Sequence, residues 1–230
     1  MPIYDLTIEI SPATNVFPGD PVFECKTLSS VSAGSTYTLK QYQFGNHTGT
    51  HIDFPAHVIQ GGKTSADYPL EKLIGTGFII EIPHAGHVMK EDVLKSGIQP
   101  GDIVFFKTQN SRNQLHEKPY TPDFAAITPE AAKTLVDLGA RIVGIDYLSI
   151  DAVADDNLSS HHVFLSKEIL VVENLDLSAI PPGRYEITIA PRKVKEADGL
   201  PARVFATSML SQLASTSSAT DNTISVGNEL

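Results

Sequence analysis

A single cysteine, Cys25, stands in the 230 residues, which rules out an intramolecular disulfide framework and a thiolate cage for a metal. Any metal in this chain must be held by nitrogen and oxygen. Basic residues are scarce too: 17 Lys and Arg face 27 Asp and Glu, for a formal charge of −10. No basic stripe interleaved with aromatics offsets that charge, so phosphate backbones are repelled and no nucleic-acid partner is expected. Long apolar runs are missing as well. None approaches the roughly 18 to 20 residues of a bilayer span, so no membrane association is expected. The opening MPIYDLTIEI alternates like a strand and contains acids, without the basic start and apolar core of a secretion signal; the expected location is cytoplasmic. No internal repeat is visible.

What is present fits one globular domain. Hydrophobic residues make up 41% and charged residues 19%, and a chain of this length buries a sizeable core without staples. From about Ser208 the sequence turns rich in Ser and Thr, with few large apolar residues. The expected division is therefore a domain over residues 1–207 and an extension over 208–230 that lies against a neighbouring subunit.

Along the chain, Asn15 to Pro21 is a turn cluster, and strand-like stretches follow at Val22 to Leu28 and Thr36 to Phe44. Gly77 to Ile82 and Asp102 to Lys107 are short β-rich runs flanking a helical stretch, Lys90 to Ser96, which stops at Gly97. The clearest helix is Thr128 to Leu138: Thr128 can cap it, Pro129 suits its first turn, and Gly139 ends it. Strands are expected at Arg141 to Asp146, Ile169 to Glu173, Tyr185 to Ile189 and Ala202 to Phe205, with a short helix around Ser160 to Ser166. A β-rich start followed by alternating strands and helices is the pattern of a layered α/β fold.

The chemistry concentrates between His47 and His57, where three of the eight histidines and Asp53 fall within eleven residues. If residues 51–57 run extended, alternation puts His51, Asp53 and His57 on one face and Ile52, Phe54 and Ala56 on the other. Gly49 lets the chain turn so that His47 approaches the same point. Two imidazoles and a carboxylate suit Zn²⁺ or Mn²⁺, and a remaining open position would hold a water acidified to a pKa of about 7. His57, behind Pro55, is set aside as the acid and base that handles the proton. The plainer alternative is that these histidines cap turns and bind solvent, which explains one histidine better than three. Farther on, His161-His162 and Glu173 are a second polar intrusion, the latter closing a buried strand unless it reaches solvent.

The string His47-x-Gly49-Thr50-His51-x-Asp53-x-Pro55-x-His57 resembles the motif of the cyclase family, which includes bacterial kynurenine formamidases and isatin hydrolases. The likeness extends through Phe17-Pro18-Gly19-Asp20-Pro21, Gly101 to Val104, Gly144 to Asp146 with Ser149 and Asp151, His161-His162, Glu173-Asn174-Leu175, and Asp198-Gly199-x-Pro201-x-Arg203. The resemblance implies two ions, Zn²⁺ or alternatively Mn²⁺. His47, His51 and Asp53 hold the first, and Asp53 bridges to a second held by His161 and Glu173. His161 is chosen over His162 because its spacing to Glu173 resembles the family's. His57 is the implied catalytic acid and base. The implied fold is a β/β/α layered single domain with mixed sheets, forming a homodimer or higher homo-oligomer. The implied reaction is hydrolysis of an N-formyl or similar amide in a small molecule.

The chain departs from kynurenine formamidases in having no tryptophan; Phe17 stands in the N-terminal turn and is the candidate for contact with a substrate ring. Ala190 to Lys193, Glu196 and Ala197 differ from the glycine-rich or apolar residues of relatives, at the pocket edge. The runner-up reading is a hydrolase of a cyclic amide or lactone. A binding protein that uses the metals only to capture a carbonyl ligand leaves His57 without a task. Phe44 and Phe54 are expected either in the core or against a ring, His84 and His87 at the surface, Cys25 as a small core residue, and Asp155-Asp156 in helix-start chemistry.

Overall fold

The computed structural model describes residues 1–209, so the extension expected over 208–230 lies, from residue 210 onward, outside the described residues. Ten strands and four short helices follow in the order β1 (Ile3–Asp5), β2 (Glu24–Ser29), β3 (Leu39–Gln43), β4 (His51–Asp53), β5 (Ile74–Glu81), α1 (Lys90–Lys95), β6 (Ile103–Lys107), α2 (Gln109–Arg112), α3 (Pro129–Asp137), β7 (Ile142–Ile145), α4 (Ser159–Leu165), β8 (Leu170–Glu173), β9 (Gly183–Pro191) and β10 (Gly199–Ser208). The expected α/β class holds. Strands β5, β6, β7 and β8 pair in parallel, while β4, β9 and β10 join antiparallel, so pairing is mixed.

The main sheet closes on itself. Its order runs β10-β4-β8-β7-β6-β5-β9, and β9 pairs back onto β10, giving a seven-stranded barrel with β1 added along β10. β10 is long enough to close the ring because its first residues pair with β4 while Ala202 to Ser208 pair with β9. Alternation sorts the side chains into two cores. Ile79, Ile103, Phe105, Ile142, Val172 and Ile187 fill the barrel. Ile80, Val104, Phe106, Val143 and Val171 face outward under Val93 of α1, Leu135 of α3 and Phe164 of α4. Strands covered on both faces need near-continuous apolar runs, which is what IVFFK and LVVE supply. Each fully buried Ile or Phe contributes about 1.5 to 3 kcal/mol of transfer free energy.

Helix α3 forms as its caps require: Thr128 Oγ1 accepts from the Ala131 N–H, Pro129 opens the first turn, and Gly139 takes the positive φ that ends it.

Two expectations need correction. Residues 51–57 do not run extended throughout: the strand ends at Asp53, and Pro55–His57 forms a 3-10 turn in which the His57 N–H donates to the Phe54 carbonyl. The proline fixes a helical φ, so the chain curls where alternation alone would have carried it straight. Cys25 is exposed, because β2 and β3 form a separate two-stranded hairpin whose strands bury almost nothing against the barrel. Among the described residues no helix is long and apolar enough to cross a membrane.

Candidate metal centre and cleft

Ile52 and Val172 point into the barrel, so their neighbours His51, Asp53 and Glu173 must point outward. The register of β4 on β8 sets His51 directly opposite Glu173. Above that face lies α4, whose buried side carries His161 while His162 turns to solvent. Two local strands and one helix thus bring together residues that are 122 positions apart in the chain.

The side chains converge tightly. Asp53 Oδ1 lies 2.8 Å from His47 Nδ1 and 3.5 Å from His51 Nε2, and Asp53 Oδ2 lies 3.6 Å from His161 Nε2. Glu173 Oε2 is 3.3 Å from His51 Nε2, and its Oε1 is 3.1 Å from His161 Nε2. Two groups, His47 with Asp53 and His57, and His51 with Asp53 and Glu173, each offer ligand atoms within 4.8 Å of one another. Asp53 belongs to both.

The decisive feature is what these atoms lack. His51 Nε2, both oxygens of Asp53 and His161 Nε2 are buried, and none has a partner in hydrogen-bond geometry. Each such atom costs free energy in a folded protein unless something else satisfies it. Their far sides are fixed. The His51 Nδ1–H donates to the Gly49 carbonyl at 2.9 Å, and the His161 Nδ1–H donates to Asp151 Oδ2 at 2.6 Å, so both Nε2 lone pairs are left facing the centre. Glu173 Oε1 accepts from the Ile150 N–H at 2.8 Å. A nitrogen and oxygen set with oriented lone pairs and no internal partners fits a divalent cation.

Electrostatics agree. Burial opposes charge on His161, but Glu173, Asp151 and Asp53 overcome it and hold its pKa well above the ordinary value. Burial likewise opposes charge on His47, yet the close approach and charge of Asp53, with Asp198 behind, raise it to about 9. Burial would raise the Asp53 carboxyl, and the surrounding imidazoles pull it well below the usual range. The buried carboxylates call for positive charge at this point, which a cation held by the same atoms would supply.

His57 reaches the same place from its 3-10 turn, its ring centroid 4.3 Å from that of His47 and 5.5 Å from that of His161. Asp198 Oδ2 joins the pair, 3.1 Å from His47 Nε2 and 3.3 Å from His57 Nδ1. Neither Asp198 nor Asp151 stood among the candidate site residues drawn from the sequence. Their signals were the strings Asp198-Gly199 and Ser149-x-Asp151, and both roles depend on contacts across more than one element. Gly199 also matters: any side chain there would meet the His47 ring.

The cluster forms one wall of a cleft of about 550 Å³. Phe17, half-exposed and edge-on to Tyr120 at 6.3 Å, lines the same cleft with Leu148, Val153 and Leu158. Phe54 is fully buried in the barrel and Phe44 sits on the exposed hairpin, stacked on Phe23; neither lines the cleft. His84 is exposed and pairs with Asp92, and Asp155 accepts from the Ser159 N–H at the start of α4, as their surface and helix-start readings require.

Comparisons with known proteins give the family and the fold. Residues 4–152 match the model of the Cyclase family, whose description is "Putative cyclase". The chain is 32% identical over 205 residues to the kynurenine formamidase of Salinibacter ruber, an alignment covering 88% of this chain and 96% of that enzyme. A solved "predicted metal-dependent hydrolase from Bacillus stearothermophilus" superposes with a TM-score of 0.78 at 32% identity, covering 89% of this chain and 97% of that one. Isatin hydrolase A from Labrenzia aggregata shares the fold, with a TM-score of 0.78 at 23% identity over 90% of this chain and 93% of its own. The match to the family model takes in the whole run from His47 to His57, and with relatives aligned over nearly their full length it follows that this chain belongs to the Cyclase family.

Proposed function

We propose that the protein is a metal-dependent hydrolase of a carbon–nitrogen amide bond in a small molecule, an aryl N-formyl amide in the first instance. The observation that carries this reading is the set of buried, unpartnered ligand atoms on His51, Asp53 and His161, opening on a cleft with an aromatic wall. His47, His51 and Asp53 would hold one ion and Asp53, His161 and Glu173 a second, with Zn²⁺ favoured by the imidazole and carboxylate mixture and Mn²⁺ accepting the same set. When bound, such ions supply Lewis acidity toward the scissile carbonyl and a water acidified to near neutrality.

The chain's own residues do the rest. Phe17 stacks the substrate ring, and the apolar wall excludes bulk water from it. Asp198 engages His57 at Nδ1, which leaves Nε2 free to face the substrate. As water oxygen bonds to the formyl carbon, His57 Nε2 takes one water proton; when the C–N bond breaks, that proton passes to the departing nitrogen, leaving an amine and formic acid, which releases its own proton to solvent as formate.

Residues 1–207 act as the catalytic domain and 208–230 as an extension to it. The barrel with helices packed outside it is read as β/β/α layering. The exposed hairpin supports a homodimer: Phe23 stacks with Tyr42 and Phe44 there, the two strands bury almost nothing among the described residues, and a lone two-stranded hairpin is marginal in water. Substrate and product are small molecules, and the location is cytoplasmic.

The reading is tested by chelator-stripped protein reloaded with Zn²⁺ or Mn²⁺ and given N-formylkynurenine and isatin side by side. Metal-dependent release of formate supports it, and ring opening of isatin alone would move the assignment to cyclic amides. In the same assay His57→Ala should keep its metal and lose about 100-fold or more in turnover; full metal with full turnover would remove His57 from the chemistry.

A further inference from the structure

We propose that the cleft selects its substrate by charge, taking aryl amides whose remote end is cationic or neutral and turning away those whose remote end is anionic. The inference rests on the hydrolase reading for the identity of the bond and adds the class of molecule that carries it. Every formally charged side chain lining the cleft, histidines apart, is a carboxylate: Asp20, Asp151, Asp155, Asp156 and Glu173, with no Lys or Arg among them.

These acids divide by position. Asp151 and Glu173 sit on the floor beside the histidines. Asp20 and Asp156 are exposed at the rim, and neither has an ion-pair partner among the described residues. Asp155 joins them; its oxygens accept from the Asn157 and Ser159 N–H groups and the Ser159 hydroxyl, which fixes the carboxylate without supplying a counter-charge.

The floor shows that this acidic lining belongs to a ligand site. His51 Nε2 and His161 Nε2, on side chains 2% and 3% exposed, line the same cleft and have no hydrogen-bond partner. A pair of divalent cations there would balance Asp53, Asp151, Glu173 and Asp198 and leave the rim uncompensated. A substrate ring lying from the floor toward Phe17 therefore presents its far substituent to Asp20, Asp155 and Asp156. Charges lining a cleft with low-dielectric walls act on a ligand more strongly than the same charges on an open surface. A far-end anion meets repulsion with no guanidinium or ammonium to receive it, and a far-end cation meets attraction.

The test uses three matched formanilides on the metal-loaded protein, with para substituents trimethylammoniomethyl, methyl and sulfonatomethyl. These fixed charges are poor metal ligands, and a methylene insulates each from the amide. The expected order of kcat/KM is cationic, neutral, anionic, with about tenfold between the ends at low salt and a gap that shrinks as salt rises. Asp20→Asn with Asp156→Asn should narrow that ratio. Binding of benzyltrimethylammonium and phenylmethanesulfonate, followed by NMR titration, should show the same preference without any turnover. Equal binding and equal rates for both charges, or a preference for the sulfonate, would overturn the proposal. If no formanilide were hydrolysed while the cation still bound preferentially, the charge selection would stand and the hydrolase reading would fall.

Discussion

Asp151 Oδ2 lies 2.6 Å from His161 Nδ1, with both side chains almost fully buried, and this contact decides which way the imidazole faces. The same carboxylate accepts the Ser160 and His161 backbone N–H groups, so it anchors the first turn of α4 and the tautomer of its histidine together. Asp151→Asn puts an amide in competition with the Nδ1 proton. Metal affinity should fall by about 10- to 100-fold with the fold retained, measured by competition with a chromophoric chelator. Unchanged affinity would remove Asp151 from the positioning of His161.

Gly199 gives a second route to the same site. A Cβ on it would stand 2.7 Å from His47 Nε2 and 2.8 Å from His47 Nδ1, inside contact distance of a ring that Asp53 and Asp198 hold from either side. Gly199→Ala should therefore displace His47 while β10 still pairs with β4 and β9. The expected result is up to about 100-fold lower kcat/KM with a circular dichroism spectrum like that of the parent protein. Parent-like kcat/KM would show that His47 is free to move without consequence.

How much of this was legible in the sequence follows from the range of each interaction. The caps and stops of α3 are local, and Thr128, Pro129 and Gly139 display them in order. The buried strands β6, β7 and β8 announce themselves as apolar runs. The segment from His47 to His57 stands out by density of histidine alone. Closure of the barrel does not show, because it depends on β10 dividing its pairing between β4 and β9, a property of register. Alternation marks β2 and β3 as strands but does not show that they bury almost nothing among the described residues, which is why Cys25 is exposed where a core position is expected. Asp198 and Asp151 escaped notice as site residues because a carboxylate's role here depends on which imidazole it meets, 151 positions away from His47 in one case and 10 from His161 in the other.

The hairpin predicts an oligomeric state. Tyr42 is 57% exposed and stacks on Phe23, whose ring also meets Phe44. If a second copy covers this ladder, the parent protein should scatter light as a dimer and Tyr42→Asp should shift it toward monomer at micromolar concentration. A monomeric parent protein would refute the homodimer.

One pH dependence lies outside the candidate metal centre, at His84. The Ala85 carbonyl and then the Asp92 carboxylate stabilise the charged form of His84 and raise its pKa above the ordinary 6.5. A raised histidine pKa contributes stability that is present below 6.5 and is lost as pH rises through the folded value. His84 is exposed, so the effect should stay within about 1 kcal/mol. NMR titration of the His84 ring should give a midpoint above 6.5, and His84→Gln should flatten the fall in Tm over that window. A midpoint at or below 6.5 would contradict the assignment.

The most direct test of the central claim is the rate of formate release from N-formylkynurenine by chelator-stripped protein as Zn²⁺ is added in measured equivalents. The account predicts negligible turnover without metal, a rise that saturates near stoichiometric occupancy, and no such rise in Asp53→Asn, whose carboxylate belongs to both ligand groups. Undiminished turnover by the stripped protein, or full occupancy of the site with no formate released, would contradict it.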